Sequence, residues 1–175
     1  IPGTFPISNT NFTSKRHEKD LLNILDFNSC NHGTGQSWVG ESVSPTRVFD
    51  FADEFTFPGI IPDSKIYVSG AFVARSSSSS NLVVKCNSAQ ETRILHGVSL
   101  DDCTATIAAD IYFALEAKAT TDKINVSVEP KVNGSISYEG WLDFIQLSAT
   151  TASNYTNKPL HLFDPSASKN AQTSF

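Results

Sequence analysis

The stretch KINVSVEP, Lys123–Pro130, sets Ile124, Val126 and Val128 in alternation with Asn125, Ser127 and Glu129. A period of two is the mark of a β-strand with one dry and one wet face. The same period recurs on both sides. KIYVSGAFVAR, Lys65–Arg75, puts Ile66, Val68, Gly70, Phe72 and Ala74 on one face. Its other face carries Tyr67, Ala71 and Val73, so this strand is expected to be covered on both sides. VFDFADEFTF, Val48–Phe57, sets Phe49 and Phe51 against Asp50 and Ala52. Asp53 and Glu54 interrupt it and Phe55 and Phe57 resume it, which predicts a bend or bulge.

NLVVKC, TRILHG, DIYFALEA and GWLDFIQLSA read as further strands, with a weaker one at PLHLF. PGIIPDS and VNGS are turns, and Ser76–Asn81 is a low-complexity hairpin loop. Eight or nine strands at spacings of about ten residues predict an all-β fold. The length suits an antiparallel β-sandwich of jelly-roll type with an irregular N-terminal segment. In that segment, residues 1–45, a short helical turn is expected within KRHEKDLLNILDF, followed by the loop NSCNHGTGQS. The sandwich is assigned to residues 46–165, and 166–175 to the start of a linker. The chain begins IPGTF without Met and reads as a fragment of a longer protein.

Composition narrows the function. With 175 residues, 39% hydrophobic and 18% charged, the chain can bury one core. A formal charge of -5 and no basic patch argue against nucleic acid as partner. No apolar run approaches the roughly 20 residues of a membrane-spanning helix. The three cysteines, Cys30, Cys86 and Cys103, form no CxxC and have no metal-spaced histidine. A Cys86–Cys103 disulfide and three separate thiols are both open. Four N-x-S/T sequons, at Asn11, Asn125, Asn133 and Asn154, carry little weight in so Ser-, Thr- and Asn-rich a chain.

Chemistry-bearing groups are sparse. Cys30 with His32, or Cys86 or Cys103 with His96, could in principle form a nucleophile–base pair, but no orienting acid accompanies them. Glu41, Asp50, Asp53, Glu54, Glu139 and Asp143 could supply glycosidase carboxylates, yet nothing in the sequence brings two to one cleft. Asp101–Asp102 lacks the repeated oxygen ligands of a calcium loop. No cofactor is expected, and a structural calcium is left open. Trp38 and Trp141 could stack sugars, but such rings more often belong to a core.

The order of short motifs resembles the non-catalytic N-terminal region of the type IX secretion system surface sortases of the Bacteroidetes (PorU-like, gingipain-type cysteine peptidase family). The matching positions are Trp38, Gly40 and Glu41; Phe55, Phe57 and Pro58; Ala74, Arg75 and Ser76; and Trp141, Leu142, Asp143, Phe144 and Ile145. The likeness runs over about residues 17 to 163. It implies an accessory sandwich at the cell surface or outside the cell. Its partner would be a neighbouring peptidase domain or secretion-system proteins. No histidine or cysteine here matches the family's catalytic motif, so no catalytic residue is carried over and the chain itself is expected not to be an enzyme. Trp38, Gly40, Glu41, Arg75, Trp141 and Asp143 are then structural: Glu41 and Arg75 would form a partly buried ion pair or cap loop backbone groups, and Asp143 would accept a hydrogen bond from a turn or pair with Arg47 or Arg75. A carbohydrate-binding module is the alternative, and an independent hydrolase a third reading.

Overall fold

The computed structural model describes residues 10–27, 35–45, 47–51, 53–100, 108–132 and 137–153. Ten strands and one 3-10 turn occur among them: β1 (Thr10–Glu18), β2 (Leu22–Asn23), the turn Ile24–Phe27, β3 (Trp38–Val39), β4 (Phe49–Asp50), β5 (Lys65–Ser76), β6 (Ser80–Cys86), β7 (Ala89–Leu95), β8 (Ala109–Lys118), β9 (Val126–Lys131) and β10 (Tyr138–Ala152). One four-stranded sheet has the order β1-β10-β5-β8 and the other β4-β9-β6-β7, while β2 and β3 form a separate pair. Every pairing is antiparallel.

The order follows one rule. β1 pairs with β10, β4 with β9, β5 with β8 and β6 with β7. These pairs are nested, as in one long hairpin. Rolling that hairpin brings β10 beside β5 and β6 beside β9. Two four-stranded sheets in this order make an eight-stranded jelly roll, with β2 and β3 inserted between its first two strands. The all-β sandwich read from period-two patterning is therefore the observed fold.

The alternation works as expected in the centre. Ile66, Val68, Phe72 and Ala74 of β5 point inward and meet Leu82, Val84 and Cys86 of β6, Val126 and Val128 of β9, and Leu142, Ile145 and Leu147 of β10. Ile124, just ahead of β9, is fully enclosed with them. The interrupted Phe run also behaves as predicted. Phe51 N–H donates to Val126 O at 2.9 Å, and Ile124 N–H donates to Phe55 O at 2.9 Å. The intervening turn at Asp53–Glu54 loops out, so Phe51, Phe55 and Phe57 all reach the core.

Two expectations change, and one open question closes. Residues 10–18 form a strand, although composition made the N-terminal segment look irregular; the helical turn there is confined to Ile24–Phe27. Side-chain polarity hides β1 because it is an edge strand, ordered by the ladder that β10 presents. The serine run is not a hairpin loop: β5 and β6 lie in different sheets, so Ser77–Ser79 carry the chain across the sandwich. Cys86 is a free, buried thiol, so no Cys86–Cys103 disulfide forms. Cys30, His32, Cys103, Asp101–Asp102, Asn133, Asn154 and the PLHLF strand lie outside the described residues.

Candidate functional site

β1 leaves β10 at Glu18, opposite Phe144. Beyond that point the WVGES segment takes its place on the same edge. Gly40 N–H donates to Leu142 O at 2.7 Å, Leu142 N–H to Glu41 O at 3.0 Å, and Val43 N–H to Gly140 O at 2.7 Å. Gly40 is required by space. A Cβ there would lie 2.7 Å from the Leu142 carbonyl oxygen and 2.8 Å from that of Lys19, both backbone atoms. The Trp-x-Gly-Glu motif is thus a docking seam, with glycine at its tightest point.

Each indole has its own role. Trp141 is 6% exposed and packs with Ile24 and Val39 beneath the β2–β3 insertion, with Leu22, Leu25 and Val73 around them. Trp38 is 43% exposed, and its indole N–H donates to Gln36 Oε1 at 3.3 Å. One tryptophan seals a second, smaller core; the other faces solvent above it.

At the seam lies a charged knot that sequence reasoning missed. His17 is 6% exposed although it stands in KRHEKD. Its Nε2 is 2.9 Å from Glu41 Oε1, its Nδ1 bonds Glu54 Oε1, and its ring meets Phe51 edge-on at 5.2 Å. Each ring nitrogen thus has a carboxylate partner. Lys19 Nζ adds a bond to Glu41 Oε1 at 2.6 Å. Burial pushes the Glu41 carboxyl up, but Lys19, its own backbone N–H and His17 together hold it below its ordinary value. The only sequence signal was a lone histidine among surface-type charges, which ordinarily marks a solvated strand.

The expected pairings therefore change. Glu41 binds His17 and Lys19, while Arg75 Nη1 reaches Glu139 Oε2 at 3.3 Å. Among the described residues no ion pair joins Asp143 to Arg47 or Arg75. Asp143 also does not share a regular face with Trp141 and Ile145. The β10–β5 register slips between Leu142 and Phe144, which makes Asp143 the bulged residue. Burial raises its carboxyl above the ordinary range; Glu18 and Asp20 add to this and Arg16 opposes it.

Of the other carboxylates, Asp50, Asp53 and Glu54 line a wide depression of about 590 Å³ with Phe51. Asp143 and Asp110 instead meet at a cleft of about 280 Å³ between the insertion and β8, with Trp38 and Tyr112 among its walls. Among the described residues, no group of three His, Cys, Asp or Glu side chains is placed to hold a metal. Burial pushes the Cys86 thiol up to about 12, so it is no nucleophile in the folded chain. Among the described residues, no helix is long and apolar enough to cross a membrane.

No family model and no curated protein matches the chain. Among solved structures it is similar to the crystal structure of dimeric latent PorU from Porphyromonas gingivalis, with a TM-score of 0.59 over 82% of this chain at 13% sequence identity. The chain spans 13% of the length of that protein. At this identity the likeness is one of fold.

Proposed function

We propose that this jelly roll is a non-catalytic accessory domain of a secreted or surface bacterial protein. It holds a gingipain-type cysteine peptidase or sortase domain of the type IX secretion system in place through protein–protein contacts. The observation that carries the reading is the fold likeness to PorU over 82% of the chain. The order of the Trp38–Glu41, Ala74–Ser76 and Trp141–Ile145 motifs points the same way. Gly40, Glu41 and Trp141 support it by their work, which is to dock an insertion onto a sheet edge.

The test begins with the complete open reading frame. A cysteine peptidase domain following the sandwich, with the isolated sandwich silent in peptidase and glycosidase assays, is the expected result. Binding of the separately expressed peptidase domain, seen by sedimentation, would extend it. A reading frame without any peptidase domain, or turnover by the sandwich alone, would overturn it.

A further inference from the structure

We propose that the cleft between the β2–β3 insertion and β8 binds a cationic side chain, an arginine or lysine presented by a segment of a partner protein. Its lining combines an apolar bed, including Ile24 and Val73, with the rings of Trp38 and Tyr112 and the carboxylates of Asp110 and Asp143. The two rings are exposed, Trp38 by 43% and Tyr112 by 68%. Aromatic faces attract cations through their quadrupole, and carboxylates complete the match.

Charge decides between ligands. Among the described residues, neither Lys nor Arg lines the cleft. The basic group acting on Asp143 is Arg16, and it is already engaged. It donates to both Glu18 oxygens, at 2.5 and 2.9 Å, and stacks on the Phe144 ring at 3.7 Å. Asp143 is set in the bulge, half-buried and close to Glu18 and Asp20, so its own environment disfavours its charge. An incoming cation relieves that cost. A cation is matched by the two carboxylates beside the two rings, whereas the Trp38 N–H, one of the donors a sugar could use, is turned to Gln36.

Size decides the form. At about 280 Å³ the cleft falls below the range of about 300–1,000 Å³ usual for drug-sized ligands. It suits one long side chain carried on a peptide. The inference stands apart from the peptidase-linked reading, because it concerns any basic segment and the isolated chain suffices to test it.

The experiment titrates the chain with the peptide acetyl-Gly-Arg-Gly-amide and follows the Trp38 indole N–H by nuclear magnetic resonance. Acetyl-Gly-citrulline-Gly-amide is the neutral control. The expected result is a saturable shift with the arginine peptide that weakens as salt rises. Affinity should fall roughly tenfold for citrulline, and again for Asp143→Asn or the exposed-site variant Asp110→Asn. No shift at roughly millimolar peptide, or equal binding of citrulline, would overturn the proposal. So would saturable shifts with glucan oligosaccharides in place of the peptide.

Discussion

Between the two sheets, Phe72, Leu82, Ile124 and Leu142 are wholly enclosed by side chains from both layers. Under the β2–β3 insertion the seal is made by Ile24, Val39 and Trp141, with half-buried neighbours. The main core is held by area removed from water. The insertion depends more on backbone hydrogen bonds at Gly40, Glu41 and Val43, and on the charged knot at His17. This division predicts a stable body and an attached part that substitutions can separate.

The largest effect should come from the body. Phe72→Ala removes a fully buried ring and is expected to cost about 3–5 kcal/mol in denaturant unfolding. A loss below about 1 kcal/mol would break the contrast. Gly40→Val drives a side chain into two carbonyls and should cost about 1–3 kcal/mol. Its signature is local: Trp141 fluorescence should shift to the red while the far-ultraviolet β signal persists. Collapse of both signals together would show that the insertion is not separable.

His17→Ala should cost about 2 kcal/mol, because two carboxylates lose their ring-nitrogen partner. Acid probes the same knot. The Glu41 carboxyl is held below its ordinary value, so its contribution is present above the unfolded value and is lost as pH falls through the folded one. Thermal melts of wild type should therefore weaken at acid pH, and Lys19→Met should shrink that dependence. The Arg75–Glu139 ion pair, with Glu139 42% exposed, should itself contribute less than about 1 kcal/mol in a double-mutant cycle of Arg75→Gln and Glu139→Gln. At the small end, Cys86 should take up no maleimide in the native state, as site-resolved mass spectrometry would show; rapid native labelling would mean that the main core opens readily.

How much of this was legible in the sequence follows the same division. Strands β5, β9 and β10 could be read because one face is buried and side chains alternate. β1 could not, since an edge strand takes its order from its neighbour. The importance of Trp38, Gly40, Glu41 and Trp141 was visible as a motif, but their partners were not. Charge alone offers Glu41 either Arg75 or loop backbone groups, whereas the nesting of β1 on β10 delivers His17 and Lys19 to it. The bulge at Asp143 was likewise hidden. It arises where β10 changes neighbour from β1 to the WVGES segment, a fact of topology that local composition does not encode.

The nested pairing also governs how the domain would respond to tension. Thr10 lies opposite Ala152, so the outer end of the β1–β10 ladder sets these two residues side by side. A pull applied at these two residues runs across the rungs joining β1 and β10, perpendicular to both strands. The rungs then part in succession, like a zip, instead of sharing the strain as sheared strands do. Thr10–Ala152 would open first, and the part of the ladder nearest Glu18 and Phe144 last. Loaded at Thr10 and Ala152, the β1–β10 ladder would yield at low force and act as a compliant joint.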